Sequence, residues 1–567
     1  MNSDDPDWNS RVEAPIVLDG SESIEWDDVA DVIIVGLGGA GVCAALEALD
    51  RGASVIAIDR FDGGGATRMS GGVYYAGGGT PFQNEAGVED SAGEMYKYLK
   101  LEVGDAVQDG TLRDFCETSS ESVEWLARHG VRFNSTLSPK KTSYPASGHF
   151  LYHSGNEAQA AYAAKAKPAQ RGHRTLGEGL TGHRFFDPLF DAAMKMGLKL
   201  YSYSEGRRFI LSEDGEILGI KIQHVPEKSP AATKLRRITR KFARSTTLLF
   251  PKIAEKLVRQ ANAISEHEGA EKFIKINKAA ILSAGGYIHN RKMVTQYAPE
   301  FSGAIPLGSI GCDGSGIRLG QTVGAKVGCM ENISAWRIIQ PPAALATGII
   351  VDGKGERFIA EDCYGGTIGH QIARHHEGRA FIILDADLRK RAFFQALPGR
   401  GKLFRLQGAP ALMGLFLSSK KAGSLDELAQ KCGMDPARLT DSVNHYNKSS
   451  EGAEDAKFPK HPDFTSMLLK PPFYAIDISI GNRRYLCPSI SLGGIVVDEE
   501  TGQALDEGGK LIPKLYAAGK NAKGLSSYRY VSGLSLADCV YSGRIAGRHA
   551  ASNISSQKEK YVSARNP

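Results

Sequence analysis

Apolar positions along this chain follow two distinct periods. Val32-Ile-Ile-Val35, Val55-Ile-Ala-Ile58 and Ala279-Ala-Ile-Leu282 are short continuous apolar runs, the pattern of strands covered on both faces of a parallel sheet. Residues 88–130 instead repeat at helical spacing through Met95, Leu99, Leu112, Phe115, Val123 and Leu126, which predicts scaffold helices. Pro188–Gly197 predicts a further helix with a glycine stop, and Lys199–Val225 alternates as strands about Glu213-Asp-Gly-Glu216. Beyond Gly308-Ser-Ile-Gly-Cys-Asp-Gly-Ser-Gly316 the pattern changes: strand-like runs such as 347–359 alternate with helices such as 424–432 and 436–446. Gly493–Val497 and Lys514–Gly519 return to strand runs, and 532–547 predicts a long terminal helix.

These patterns predict an α/β chain in which one domain is interrupted by another. Residues 1–29 read as a flexible acidic leader, 30–290 as the first part of a nucleotide-binding domain, and 291–464 as an inserted α+β domain. Residues 465–553 complete the first domain, and 554–567 form a polar tail.

The first strand run leads into Gly36-Leu-Gly-Gly-Ala-Gly41, and the second ends at Asp59, 18 residues after Gly41. Strand, G-x-G-x-x-G, helix, strand and acid form the βαβ fingerprint of a dinucleotide site. Gly36 and Gly38 let backbone approach a pyrophosphate, Gly41 lets helix and strand pack closely, and the helix N-terminus favours phosphate. A carboxylate at 59 accepts from a ribose 2′-OH and repels a 2′-phosphate, favouring FAD or NAD over NADP. Arg60-Phe-Asp-Gly-Gly-Gly-Ala-Thr-Arg-Met-Ser-Gly-Gly72 follows, small enough to cross the face of an extended cofactor.

Composition adds limits. Of 567 residues 42% are apolar and 23% charged, too many residues for one core and too few apolar ones for a membrane protein. No apolar run approaches the roughly 18 residues of a membrane span, and residues 1–30 lack the basic and apolar regions of a secretory signal. The eight cysteines are scattered without metal spacing, so no metal site and reduced cytoplasmic thiols are expected.

Charge singles out Pro226–Gln260, with ten Lys or Arg against Glu227 and Glu255, a net of +8 in a chain of +5, so that the remainder sums to −3. Leu235, Ile238, Phe242, Leu249, Ile253, Leu257 and Ile264 share one helical face, with Pro251 at a kink. Three readings are open: a helix on an anionic membrane surface through residues 228–260, a helix docked on its own protein or a partner subunit, and a nucleic-acid patch. The first ranks highest and implies peripheral attachment to the inner membrane. The last has no aromatic interleaving to support it, and nucleic acid is not an expected partner.

In order along the chain, GLGGAG at 36, Ser70-Gly-Gly72, Ser283-Ala-Gly-Gly286, Gly353-Lys-Gly-Glu-Arg-Phe358, Leu515-Tyr-Ala-Ala-Gly519 and Gly533-Leu-Ser-Leu536 resemble the flavoprotein family of succinate dehydrogenase and fumarate reductase. The resemblance implies a Rossmann-type FAD-binding domain interrupted by an α+β capping catalytic domain, with the active site between them. It implies FAD contacts at Gly36, Gly38, Gly39, Ala40, Gly41, Asp59, Arg60, Ser70, Gly71, Gly72, Ala284, Gly285, Gly519, Asn521, Ser535 and Leu536. Asn521 stands where many members place a glutamate. Residues 63–72 contain no histidine, so the FAD is expected to be non-covalent.

Two departures redirect the expected substrate. Ile359-Ala-Glu-Asp-Cys-Tyr364 offers tyrosine where fumarate reductases carry an arginine acid, and Pro488–Leu492 lacks their histidine. These features, with Tyr530-Val-Ser532-Gly533, resemble the 3-ketosteroid dehydrogenase branch, and within it the enzymes that form the Δ4 bond of 5α-reduced 3-ketosteroids. A Δ1-dehydrogenase, or a flavin reductase of another enone or acrylate, is the alternative. A flavin-free binding protein is disfavoured by the retention of Asp59 and the 63–72 loop.

Desaturation next to a ketone needs a base for the α-proton, donors on the ketone oxygen and a hydride acceptor. The resemblance places Tyr364 as the base, provided its site depresses the ordinary pKa near 10, and Tyr530 with Ser532 on the ketone. Tyr528 competes with Tyr530; Tyr74, Tyr75 and Tyr485 are candidates to line an apolar pocket. Arg357 reads as a structural ion pair. A steroid substrate and an unspecified electron acceptor are the implied partners.

Overall fold

The computed structural model describes residues 11–19, 24–139, 141–243, 251–397, 408–450 and 457–552. The polar tail at 554–567, Leu249 and the leader at 1–10 and 20–23 lie outside the described residues. The principal elements begin with β1 (Ile16–Val17), β2 (Asp28–Val35), α1 (Gly39–Asp50), β3 (Val55–Ile58) and α2 (Ala92–Val103). Next come β4 (Lys199–Tyr201), β5 (Ser204–Leu211), β6 (Ile217–His224), α3 (Pro230–Phe242), α4 (Pro251–Glu268) and β7 (Ala270–Leu282). The inserted domain contains β8 (Ile349–Asp352), α5 (Gly365–His375), β9 (Ala380–Leu384), β10 (Ser419–Ala422) and β11 (Phe473–Asp477). The chain then returns through β12 (Gln503–Leu505), β13 (Leu511–Ala517) and α6 (Leu534–Ala551).

A nine-stranded sheet runs β1-β5-β6-β7-β2-β3-β4, with β13 beside the end of β7 and β12 beside β13. The apolar runs form its parallel centre, in register as Ala280 with Ile33 and Val32 with Val55. The α1 and α6 helices cross the sheet in near-contact: a Cβ on Gly543 would lie 2.5 Å from the Ala40 carbonyl oxygen, and one on Gly547 2.3 Å from that of Ala44. That approach explains the alanine and glycine of both helices. The fold class is the one expected, with two corrections at its margins.

The described part of the leader is ordered into the sheet. β1 pairs with β5, and the Trp26 ring lies over Gly219, where a Cβ would meet it at 2.3 Å. The return to the first domain also comes later than 465. β11 is an inner strand of the inserted sheet, which runs β8-β9-β11-β10, so the nucleotide sheet is rejoined only at β13. In that inserted domain Arg357 donates two bonds of 2.9 Å to Glu361, which also holds Lys460 at 3.1 Å and the Ile350 N–H at 2.8 Å. Arg357 is thus a buried ion pair, as its sequence context indicated.

The basic segment folds as α3 and α4, and its apolar face is consumed within the chain. Leu235, Ile238, Phe242 and Leu257 pack on Phe61, Tyr203 and Ile310. The amphipathic period therefore marks mainly docking on the protein's own surface, and what faces outward is charge together with Ile253, which is exposed. Among the described residues no helix is long and apolar enough to cross a membrane.

Because Leu235 faces inward, Leu235→Ala should cost about 2–4 kcal/mol and Lys234→Ala less than about 0.5 kcal/mol, read from hydrogen-exchange protection over 230–268. Burial raises the carboxyl of Asp538, on α6, to about 7. Its contribution to stability is present below the ordinary carboxylate range and is lost as pH rises through about 7. Asp538→Asn should therefore melt higher than the parent at and above neutral pH and lose that pH slope.

Candidate active site

A cavity of about 560 Å³ opens at the carboxyl ends of β2 and β3, the place where doubly wound sheets hold a dinucleotide. Gly36, Gly38, Gly39, Ala40, Asp59, Arg60, Ala284 and Gly285 line it. The glycines there serve different ends. Gly36 has φ +96°, and a Cβ on it would lie 2.3 Å from Ala284 Cα; a Cβ on Gly41 would lie 2.3 Å from the Gly36 oxygen. Those two are required by chain crossings. Gly38 is not, since a Cβ on it would meet nothing within 4 Å, yet it faces the cavity. A ligand that must approach the backbone is the physical reason for glycine there.

Asp59 does more than the fingerprint suggested. It accepts the N–H groups of Leu37 and Phe61 at 2.8 Å and of Gly63 at 3.3 Å, so it ties the glycine turn to the next loop. Arg60 is matched by Asp313 at 2.6 Å and Glu205 at 3.0 Å.

Gly63, Gly65 and Ala66–Met69 line the cavity as expected of that loop. Ser70, Gly71 and Gly72 leave it. Gly71 makes room for the Tyr144 ring, 2.6 Å from where its Cβ would be, and Gly72 for Thr175 and Thr181. Gly519 packs against Ala40 and donates to Ser542 at 2.9 Å; Ser535 and Leu536 form the first turn of α6, behind Gly533 at φ +94°. None of these line the cavity, although Lys520 and Cys539 beside them do.

Asn521 does not line the cavity and lies directly behind Gly316, which does; it is fully buried, and neither its amide nitrogen nor its oxygen has a partner among the described residues. An orphaned buried amide is costly unless a ligand satisfies it, so the residues present fit a polar cofactor reaching this point.

The second half of the site lies where α5 begins. Tyr364 precedes the first turn of α5; its ring centroid is 6.4 Å from that of Tyr530 and 6.1 Å from that of Trp336. Ser532 is close enough to Tyr152, Tyr364 and Tyr530 to pull down the pKa of each. Beyond Ser532, the buried hydroxyls of Tyr152 and Tyr364 have no hydrogen-bond partner among the described residues. The sequence-expected residues Tyr364, Tyr530 and Ser532 are thus brought together, and Tyr152 joins them.

The electrostatics differ from expectation. Burial, followed by the neighbouring Tyr530 and Tyr152, holds the Tyr364 pKa well above 10; burial likewise raises those of Tyr152 and Tyr530. The site does not depress the pKa of Tyr364, and at neutral pH that residue is a phenol. The expected competitors lie elsewhere. Tyr528 packs against His370 and Gly104, Tyr74 against Phe133 and Phe185, Tyr75 against Tyr98, and Tyr485 donates to the Ile338 carbonyl at 2.9 Å.

What holds Tyr364 was not legible in the sequence. Its N–H donates to Asn156 Oδ1 at 2.6 Å, and Asn156 Nδ2 donates to Glu102 on α2 at 2.6 Å and to Thr367 on α5 at 2.9 Å. Tyr98 closes the network, donating to Glu102 at 3.2 Å and accepting the Asn156 N–H at 2.8 Å. Gln340 and Lys141 flank Tyr364 in a narrow cleft. The only local signal for Tyr152 and Asn156 is an apolar pair followed by Ser154-Gly-Asn-Glu157, which has no diagnostic spacing.

The chain is similar to known proteins over most of its length. The FAD binding domain family matches residues 31–536. The 3-oxo-5-alpha-steroid 4-dehydrogenase of Comamonas testosteroni is 36% identical over 511 residues, covering 89% of this chain and 95% of the relative. The 3-oxosteroid 1-dehydrogenase of Mycolicibacterium smegmatis is 24% identical over 559 residues, covering 88% and 93%. Among solved structures, the 3-ketosteroid-delta4-(5alpha)-dehydrogenase of Rhodococcus jostii RHA1, in complex with 4-androstene-3,17-dione, superposes with a TM-score of 0.78 at 27% identity, covering 95% of this chain and all of that one. Matched over most of its length by the family and by a relative at 36% identity, the chain belongs to the FAD-binding flavoprotein oxidoreductases that include the Comamonas steroid dehydrogenase.

Proposed function

We propose that the protein is a 3-ketosteroid dehydrogenase that uses non-covalently bound FAD to introduce the 4,5 double bond of 5α-3-ketosteroids. The observation that carries this reading is the cluster of Tyr152, Tyr364, Tyr530 and Ser532. A cluster of buried hydroxyls suits a ketone on an apolar skeleton and not a dicarboxylate. The named activities of the Comamonas and Rhodococcus relatives support it.

FAD, when bound, supplies the acceptor for the hydride leaving C5. The chain's own residues manage the proton and the developing charge. Tyr530 donates to the C3 oxygen, stabilising the enolate that forms as C4 loses its proton. Tyr364 takes that proton while passing its own to Ser532, whose hydroxyl proton passes in turn to solvent water, so that every hydroxyl ends neutral and the proton leaves the site. The proton is relayed, because a phenolate stored in this burial would be strongly disfavoured. Gly36–Ala40 and Asn521 would hold the cofactor, and Asn156 keeps Tyr364 registered on the opposite domain. Membrane attachment through residues 228–260, if it forms part of the function, rests on the exposed lysines and arginines and on Ile253 among the described residues.

With a dye acceptor, a 5α-3-ketosteroid should be oxidised and a 4-en-3-one should not; the reverse preference makes it a Δ1 enzyme. Tyr364→Phe should lower kcat by about 10²- to 10⁴-fold with FAD retained, and near-parental turnover would place the base elsewhere. Asn156→Ala should lower kcat roughly ten- to a hundred-fold at nearly unchanged KM, since it misplaces Tyr364 without touching substrate. Because the Tyr364 pKa is raised, kcat/KM should show no tyrosine ionisation between about pH 6 and 9; one that disappears in Tyr364→Phe would contradict the relay. Pelleting with anionic vesicles should vanish by about 0.5 M salt, and salt-resistant pelleting would mean that an apolar anchor exists.

A further inference from the structure

The α3–α4 hairpin is not needed to connect its flanking strands. β6 and β7 pair directly, His224 opposite Ala270, so a tight turn could join them where the chain instead places residues 225–269. The position of those residues suggests what they do. Their apolar face covers Phe61 and Ile310, and both of these residues line the dinucleotide cavity from loops that flank Asp59. Asn262 of α4, itself buried, accepts from the Arg60 guanidinium, and Ser265 bonds Glu205. The hairpin thereby fixes the Arg60, Glu205 and Asp313 cluster behind the adenosine end of the cavity. The last turn of α3 also reaches the cavity itself, through Thr239, Arg240 and Phe242.

Charge narrows the role further. A dinucleotide's diphosphate carries two negative charges, and most cations around the cavity are already matched. Arg60 faces Glu205 and Asp313, Arg68 faces Asp187 at 2.9 Å, and Arg11 faces Glu266 at 2.5 Å. Arg240 makes no ion pair or hydrogen bond among the described residues and opens onto the cavity rim. Lys241, in the same helical turn, does not line it.

We propose that the α3–α4 hairpin is the outer wall of the FAD site, retaining the adenosine half of the cofactor, and that Arg240 is the cation it contributes there. The inference rests on FAD being the cofactor. It accounts for a basic segment whose apolar face is internal: the hairpin is bound to the protein by that face and presents charge to the ligand at one edge.

The test is binding, read without turnover. FAD-stripped full-length protein is titrated with FAD, with ADP and with FMN, following flavin fluorescence and, for ADP, displacement of FAD. Arg240→Ala should weaken FAD and ADP roughly ten-fold and lose part of the salt dependence, while leaving FMN unchanged. Lys241→Ala, which shares the helix terminus but not the cavity, should stay within about two-fold of the parent. Replacing 225–269 by an Asn-Gly turn should weaken FAD by about a hundred-fold or more. FAD affinity unchanged in both Arg240→Ala and Arg240→Glu overturns the role of Arg240, as does an equal loss in Lys241→Ala; these point variants decide even if the turn replacement fails to fold. A turn replacement that folds and binds FAD like the parent overturns the wall. A parent that binds no FAD would instead overturn the cofactor reading on which the proposal stands.

Discussion

The hydrogen bond from the Tyr364 N–H to Asn156 is the contact on which the site depends. Tyr364 belongs to the inserted domain, Asn156 to a loop of the nucleotide domain, and the asparagine's other bonds go to Glu102 on one side and Thr367 on the other. One buried amide, with both its ends used, therefore helps to set the register between two domains, alongside the bonds from Lys141 to the Asp362 carbonyl and from Gln159 to the Pro459 carbonyl. The phenol of Tyr364 reaches Tyr530 and Ser532 because of that register. A buried polar group satisfied on every side specifies one arrangement, since any shift leaves a donor or acceptor unpaired.

The same economy recurs at the cofactor end. Asp59 and Arg60 were read as ligand contacts, and each is first a structural residue: Asp59 gathers three backbone N–H groups, and Arg60 sits between two carboxylates. They shape the walls that a dinucleotide would meet. The groups left unmatched are the informative ones. Gly38 lacks a side chain for no reason within the protein, and the Asn521 amide has no partner among the described residues. Gly38 lies on the large cavity and Tyr364 on a separate narrow cleft.

The raised pKa of Tyr364 changes the chemistry more than its position does. A tyrosinate base would need a cation within a few ångströms, as a carboxylate needs an arginine. Instead the cluster is all hydroxyl, with burial as the largest influence on each phenol. A proton can cross such a cluster without leaving charge behind, which suits the desaturation of an apolar substrate in a dry site.

Local pattern was enough to find the β2–α1–β3 unit and the interruption of the nucleotide domain, because apolar runs and turn glycines are set by interactions within about thirty residues, whereas the roles proposed for Tyr364, Tyr530 and Ser532 came from the family resemblance. The inner position of β11 was not legible, since strand neighbours are chosen by packing across the chain. The helical period of 235–264 correctly announced an amphipathic face and could not say what covers it; the fold decided that by presenting Phe61, Tyr203 and Ile310. Tyr152 and Asn156 carry no spacing signal, because their significance comes from residues far along the chain, from Glu102, 54 positions away, to Thr367, 211 positions away, and Ser532. The direction of the Tyr364 pKa was likewise beyond sequence, for it depends on burial and on which charges the tertiary structure leaves out of reach.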